Sequence, residues 1–122
     1  MSSRNVDQLT LETKEKYIDF DKKMENAKID YIITCTYRSQ EEQDMLYAQG
    51  RTLPGKKVTN AKVSKHTSRT AFDIVIMVNG KPCWDVSNPS WKLAGEIGEI
   101  VGLTWGGNFK KFKDFPHFEF NG

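Results

Sequence analysis

The segment Ala71-Phe-Asp-Ile-Val-Ile-Met-Val-Asn-Gly80 decides the fold of this chain. Both faces of Ala71–Val78 are apolar, which is the pattern of a central strand that is buried on both sides. Asn79-Gly80 is a strong hairpin signal, so the chain is predicted to return as a strand over residues 81–84. Asp73 is the one charged residue in the apolar run. Because an unpaired buried carboxylate costs several kcal/mol, Asp73 is expected to be paired, hydrogen-bonded or bound to a metal.

The sequence around this strand predicts an α+β fold, in which helices flank a small, largely antiparallel central sheet. Apolar residues at helical spacing predict a helix over residues 6–27. Ser39 begins a capping-box pattern that opens a helix over residues 40–49. Asn88 opens a further helix, which ends before Gly102. The other predicted strands are residues 31–37, 103–105 and 117–120.

Length and composition predict one domain over residues 1–122, without a separate cell-wall-binding module. A net charge of +2 is too small to indicate a nucleic-acid partner, and no apolar run is long enough for a membrane span. The polar N-terminus does not resemble a signal peptide, so synthesis in the cytoplasm is expected. The protein is expected to be a monomer. Cys35 and Cys83 lack metal-site spacing and are predicted to be buried free thiols.

Residues 51–69 are predicted to form a long loop with an unusual charge. The loop carries six positive side chains and no negative one. Long loops in compact domains are usually functional or mobile. Two interpretations remain open: the loop attracts an anionic polymer, or its charges are simply solvated.

The two histidines of the chain, His66 and His117, are candidate partners for Asp73. His66 lies in the loop that leads into the central strand, and a neutral imidazole and a carboxylate are good zinc ligands. A catalytic zinc takes three protein ligands, which His66, Asp73 and His117 would supply. The alternatives are that each histidine is solvated or satisfied in the core, and that Asp73 pairs with Arg38 or a backbone amide.

Two further side chains are candidates for the chemistry. Asp114 lies three residues before His117, so it is placed to stay off the metal and act as a general base. Glu119 is the rival base, although it is also suited to supporting His117 or to a plain surface position. Arg38 lies at a strand-to-helix junction, where it either binds a carboxylate or carbonyl of a ligand or pairs with a surface acid.

The motifs Ser64-x-His66…Ala71-x-Asp73 and Asp114-x-x-His117 resemble those of the zinc D-Ala-D-Ala carboxypeptidases and dipeptidases, including the VanX and VanY types. Other segments resemble a narrower branch, the L-alanyl-D-glutamate peptidases found among phage endolysins and their bacterial relatives. Those segments are Thr36–Thr52, Val58–Ala61, Trp105–Gly107 and Pro116–Phe118.

The resemblance implies the fold shared by these peptidases and Hedgehog proteins. It also implies a zinc-dependent endolysin that cuts the L-Ala–D-Glu bond of bacterial peptidoglycan after its release from the host cytoplasm. Zinc would be held by His66, Asp73 and His117, with Asp114 as the base. Arg38 would bind substrate or stabilise the developing oxyanion. The alternatives are a zinc enzyme that trims D-Ala-D-Ala and a zinc-bearing wall-binding domain without catalysis.

The chain departs from the family motif at two positions. The glycine between the metal ligands is Arg69 here, which strains the loop if that position needs a positive φ, or else extends into the substrate groove. Asn108 stands where relatives often carry an acid.

Overall fold

The predicted central strand lies in the middle of a five-stranded sheet. The computed structural model describes residues 2–59 and 62–122, and the sheet and three α-helices form the α+β arrangement that the sequence predicts. The strands are β1 (Tyr31–Cys35), β2 (Ala71–Val78), β3 (Lys81–Cys83), β4 (Thr104–Trp105) and β5 (His117–Glu119), and the helices are α1 (Leu11–Asn26), α2 (Gln40–Ala48) and α3 (Pro89–Ile100).

All the strand pairs in this sheet are antiparallel, and the sheet order is β1-β2-β5-β4. The β1 strand occupies one side of β2, while β5 and β3 share the other side at opposite ends. The β2–β3 hairpin turns at Asn79 and Gly80, whose φ angles are 53° and 77°. Positive φ at both central residues is what a two-residue type I′ turn requires, so the hairpin prediction is confirmed.

The two faces of β2 have different roles. Phe72 pairs across the sheet with Phe118, and their rings stack with centroids 5.5 Å apart. Phe20 of α1 packs on both rings, and Gly98 of α3 lets that helix approach Phe118. This face therefore holds the aromatic core under α1 and α3. Because side chains alternate along a strand, Asp73 points to the opposite face.

A β-bulge in β1 sets which residues lie beside Asp73. Ile33 pairs with Ile74, but Cys35 pairs with Asp73, so the register shifts by one residue at Thr34. Without this shift, Cys35 would lie opposite Phe72 on the core face. Bulges re-aim side chains in this way, often next to active sites.

The prediction of one helix over residues 6–27 was wrong at its beginning. A short 3-10 helix spans Val6–Gln8, and α1 begins only at Leu11. Thr10 separates them because its hydroxyl accepts a hydrogen bond from the Thr13 N–H and caps α1. The Ser39 cap of α2 is confirmed, since Ser39 Oγ accepts from the Glu42 N–H at 3.1 Å.

Two smaller predictions need correction. The β1 strand ends at Cys35 rather than at residue 37, because Thr36 and Tyr37 bond instead to the backbone of Ser3. Cys35 is a buried free thiol as predicted, but Cys83 is only half-buried because β3 lies at the edge of the sheet.

Of the segment Val58–Ala61, Asn60 and Ala61 lie outside the described residues. In the described part of the chain, no helix is both long and apolar enough to cross a membrane.

Candidate metal centre

The β2–β5 ladder places His117 directly beside Asp73. The two residues are Cα partners, and His117 Nδ1 lies 3.2 Å from Asp73 Oδ1. Opposite residues of an antiparallel pair share one face of the sheet, so the backbone register fixes both side chains on the face away from the aromatic core. His117 is buried, with 7% of its surface exposed.

His66 reaches the same carboxylate from the loop before β2. Its Nε2 lies 3.1 Å from Asp73 Oδ1, and the residue is 3% exposed. The Ser64 hydroxyl accepts a hydrogen bond from the His66 N–H at 3.1 Å, which fixes the turn that carries the ring. The other ring nitrogen, Nδ1, lies 3.4 Å from the Thr36 carbonyl and 3.5 Å from Cys35 Sγ. When Nδ1 carries the proton of the neutral ring, the unprotonated Nε2 faces Asp73.

The three side chains fit a zinc site. One ligand atom from each of His66, Asp73 and His117 lies within 4.8 Å of the other two. Ligands at about 2.1 Å from a tetrahedral zinc are about 3.4 Å apart. The two nitrogen-to-oxygen separations of 3.1 and 3.2 Å are close to that value. The donor set of two imidazoles and one carboxylate is also one that zinc prefers.

Without a metal, hydrogen bonds from the two histidines to Asp73 link the three side chains. Burial alone lowers the pKa of His66, but its hydrogen bonds to Asp73 and Cys35 raise that pKa to about 10. Burial likewise opposes the charge on His117, while Asp73 and Glu119 raise its pKa to about 9. Burial opposes ionisation of Asp73, but the two histidines hold its pKa well below the usual range. A metal ion binds neutral imidazole, so it would displace these protons.

Asp114 lies on the wall of the same cleft, beside the three metal-ligand candidates. Its N–H donates to the Gly106 carbonyl at 2.9 Å, and its own carbonyl accepts from the His117 N–H. A Cβ on Gly106 would lie 2.3 Å from the Asp114 carbonyl, so this close approach requires glycine. The residue is exposed, yet desolvation of its carboxyl group and the charge of Asp73 raise its pKa above the usual range.

Arg38 lies on the other side of the cleft, where β1 leads into α2. Its Nη1 donates to the Gln43 side-chain oxygen at 2.9 Å, and its Nε lies 3.7 Å from a carboxylate oxygen of Glu42. Gln43 is completely buried, so it fixes the guanidinium group from below. The guanidinium thus borders the cleft and pairs with an acid, while the binding of a ligand by Arg38 stays a prediction.

Glu119 lies beside His117 rather than apart from it. Its Oε1 is 2.7 Å from His117 Nε2, the ring nitrogen that faces away from Asp73. The hydrogen bond from His117 lowers the pKa of the Glu119 carboxyl group. Carboxylates in this position orient histidine ligands of metals. The geometry favours the supporting role for Glu119 and leaves Asp114 as the carboxylate without a histidine partner among the described residues of the cleft.

These residues surround a cleft of about 420 Å³. Its walls come from α2, from the loop before β2, and from the segment between β4 and β5. The described lining residues that the preceding paragraphs do not place are Leu46, Val58, Thr59, Val63, Lys65 and Phe109.

Arg69 has a φ of 64°, so the position does need the left-handed conformation. Its side chain turns away from the cleft: the guanidinium carbon lies 4.2 Å from the centre of the Tyr37 ring, and Nη1 donates to Gln8 at 2.9 Å. Of the two expectations for Arg69, backbone strain applies and extension into the groove does not. Asn108 is exposed and donates a hydrogen bond to Glu99.

Two residues of the site were not identified in the sequence. Cys35 contacts His66 only because of the bulge at Thr34, and no local pattern indicates that bulge. Gln43 does carry a signal, because it lies one helical turn after the Ser39 cap and is a polar residue on the buried side of α2.

Comparison with known proteins gives consistent matches. A family model described as D-alanyl-D-alanine carboxypeptidase matches residues 57–120. The peptidoglycan L-alanyl-D-glutamate endopeptidase CwlK of Bacillus subtilis is 39% identical over 104 residues, a match that covers 77% of this chain and 62% of CwlK.

Two solved structures share the fold. The Serratia marcescens L-Ala D-Glu endopeptidase ChiX superposes with a TM-score of 0.77 at 18% identity, covering 99% of this chain and 89% of ChiX. The LD-carboxypeptidase LdcB superposes with a TM-score of 0.73 at 16% identity, covering 93% of this chain and 59% of LdcB.

Proposed function

Because this chain belongs to the D-alanyl-D-alanine carboxypeptidase family of metallopeptidases, we propose that it is a zinc-dependent endopeptidase that hydrolyses the L-Ala–D-Glu bond of peptidoglycan stem peptides. The observation that carries the proposal is the cleft in which His66, Asp73 and His117 converge beside Asp114. The choice of bond is supported by the 39% identity to CwlK, whose name states that bond.

Zinc is the metal that we propose for the three-residue centre, held by His66, Asp73 and His117. When bound, zinc supplies Lewis-acid polarisation of a peptide carbonyl and makes water a better nucleophile near neutral pH. Three protein ligands would leave zinc able to take up substrate or water, as catalytic zinc sites do and structural ones do not.

Asp114 would act as the general base. The pKa of its carboxyl group is raised toward neutral pH. A base whose pKa is nearer to the working pH both accepts and returns a proton more efficiently. Asp114 takes a proton from the attacking water and then passes it to the amine of D-Glu as the peptide bond breaks. The glycine contact at Gly106 holds the backbone of Asp114 in place for this transfer.

Arg38 would stabilise the charge that develops on the L-Ala carbonyl oxygen. Its guanidinium is fixed by Gln43 and Glu42, so little reorganisation is needed when the charge forms. Donors that are held in place in this way contribute more to catalysis than mobile ones.

Digestion of purified peptidoglycan, followed by mass spectrometry, tests the proposal. We expect fragments with a free L-Ala carboxyl group on the muramic acid side and a free D-Glu amine on the other. A chelator should abolish them, and added zinc should restore them. A zinc-loaded protein that leaves peptidoglycan intact would contradict the proposal.

A second candidate is a D-Ala-D-Ala carboxypeptidase, which is favoured by the description of the matching family model. The same mass spectra separate the two activities, since this candidate releases D-Ala or D-Ala-D-Ala and leaves L-Ala–D-Glu intact. A zinc-bearing wall-binding domain predicts metal without hydrolysis. Asp114 and Arg38 argue against that reading, because binding alone needs no general base.

The biological role that we propose is lysis of a bacterial host, as in the phage endolysins that Thr36–Thr52 resembles. The test is the turbidity of permeabilised bacteria after addition of the purified protein. We expect rapid clearing with the unmodified chain and none with Asp114→Asn. Cleavage of isolated peptidoglycan without clearing of cells would point to wall remodelling instead.

A further inference from the structure

One cationic side chain in the cleft has no part in the machinery described so far. Lys65 lines the cleft immediately before His66, and its side chain is exposed. Among the described residues, its amino group makes no hydrogen bond and no ion pair at contact distance, although its positive charge helps to lower the pKa of the Glu119 carboxyl group. Arg38, the other Lys or Arg residue among the described lining residues, is engaged by Gln43 and Glu42. Lys65 is therefore the lining cation that no hydrogen bond or contact ion pair among the described residues holds in place.

The backbone of Lys65 is held firmly at this position. Its carbonyl accepts hydrogen bonds from the Thr70 N–H at 3.0 Å, the Ser68 hydroxyl at 3.0 Å and the Thr70 hydroxyl at 3.3 Å. The base of the side chain is thus fixed beside a metal-ligand candidate, while the side chain itself is exposed.

The substrate of the proposed reaction carries a charge that the cleft must accommodate. The D-Glu residue uses its amine in the scissile bond and one carboxyl group to continue the peptide, so its second carboxylate is free. That charge lies a few bonds from the reacting carbonyl, in a cleft lined by Asp73, Asp114 and Glu119. Like charges placed together cost binding energy, so productive binding needs a cation nearby.

The surface around the cleft is positively charged, like Lys65. Residues 51–65 carry five positive charges and no negative one, and residues 110–113 carry three lysines. The first segment contributes to one wall of the cleft, and the second lies between Phe109 and Asp114 on another wall. Such a field concentrates anionic substrates at the cleft.

We propose that Lys65 binds the free carboxylate of the D-Glu residue and makes the enzyme prefer acidic stem peptides to amidated ones. This inference rests on the proposed endopeptidase function. It assigns to Lys65 a role in substrate choice that is separate from metal binding and from proton transfer.

The test compares two synthetic stem peptides that differ at one group only. The carboxyl group of D-Glu that does not continue the peptide is an acid in one and an amide in the other. The unmodified chain should show a kcat/KM about tenfold higher for the acid, as expected for a hydrogen-bonded charge pair. Lys65→Met should reduce this ratio to near one, mainly through KM for the acid. The matched control is Lys81→Met in β3, on an exposed lysine at the far end of the sheet, and it should keep the ratio.

Zinc content and circular dichroism are measured for each variant, and Lys65→Gln replaces Lys65→Met if the latter fails to fold. An unchanged ratio in the folded Lys65 variant overturns the inference, and so does an unmodified chain that cleaves both peptides equally well. If the unmodified, zinc-loaded chain cleaves neither peptide, the endopeptidase function itself fails and the subsite falls with it.

Discussion

Asp73 and His117 are direct partners in the antiparallel β2–β5 ladder, and Asp73 Oδ1 lies 3.2 Å from His117 Nδ1. Residues that are 44 positions apart in the chain are thus fixed by the backbone register of the sheet. His66 joins them from a loop, whose position depends on Ser64 and on the turn through Arg69. Two metal-ligand candidates therefore lie on the rigid sheet, and the third lies on an element that can be perturbed separately.

The first prediction concerns Asp73 itself. Asp73→Asn keeps the size of the side chain but removes the negative charge that faces both imidazoles. We expect zinc affinity to fall at least about tenfold, since metal ligands and their charge carry the binding energy. Competition with a chromogenic chelator measures the change. Asp85→Asn, at an exposed turn residue before α3, is the control and should bind zinc normally. One tightly held zinc per chain in Asp73→Asn would contradict the assignment.

The second prediction separates the two carboxylates that flank His117. Asp114→Asn should keep zinc and lose about 10²–10⁴-fold in kcat, because proton transfer is lost while the ligands remain. Glu119→Gln should instead weaken zinc binding by about 10–100-fold, because the group that orients His117 is altered. At saturating zinc, most of its kcat should return. The opposite pattern in the two variants would exchange the roles of Asp114 and Glu119.

Local sequence signals predicted the elements that depend on short-range physics. The apolar run of β2, the Asn79-Gly80 turn and the Ser39 cap all appear where the sequence indicated them. Each of these depends on residues within a few positions, so pattern and propensity suffice. The error at the start of α1 is of the same kind, because Thr10 is a cap that apolar spacing alone does not reveal.

The remaining features depend on contacts between distant segments. The bulge at Thr34 brings Cys35 under His66, and the close packing of Gly106 holds Asp114 in the cleft. Neither is visible in a window of sequence, because each is set by the partner strand or loop. The grouping of His66, Asp73 and His117 could still be predicted, because a buried carboxylate without a partner is costly. Asp73 therefore indicated that partners from elsewhere in the chain had to lie beside it.

The third prediction concerns removal of the metal. A chelator should abolish peptidase activity but leave the far-ultraviolet circular dichroism spectrum unchanged at 25 °C. The reason is that the aromatic core of Phe20, Phe72 and Phe118 lies on the other face of the sheet and does not depend on the site. The thermal midpoint should fall modestly, as expected when a ligand of the native state is withdrawn. Cooperative unfolding on chelation at this temperature would show that the metal is structural.

The fourth prediction addresses Arg69, which holds a φ of 64° with a side chain attached. Arg69→Ala removes the contacts with Tyr37 and Gln8 but keeps the energetic cost of the left-handed conformation. Arg69→Gly removes the contacts and that cost. We expect the free energy of unfolding of the Gly variant to exceed that of the Ala variant by about 1 kcal/mol. Urea denaturation measures the difference. Equal stabilities would show that the turn relaxes out of the left-handed region.

The last prediction concerns alkaline pH and the pair formed by Tyr31 and Asp21. The Tyr31 hydroxyl of β1 donates to the carboxylate of Asp21 in α1. Burial first, and then this hydrogen bond, raise the pKa of Tyr31 far above its ordinary value of 10.0. The folded chain therefore keeps a proton that the unfolded chain loses above about pH 10. Stability is fully present below that pH and declines as the pH rises further.

Urea denaturation at about pH 8 and about pH 11 tests this linkage. The unmodified chain should lose more stability between the two than Tyr31→Phe, which has no phenol proton at this position. Tyr47→Phe alters a tyrosine of α2 outside this pair and should behave like the unmodified chain. If Tyr31→Phe loses as much stability as the other two proteins, ionisation of Tyr31 does not drive the alkaline loss, and other groups that titrate in this range do.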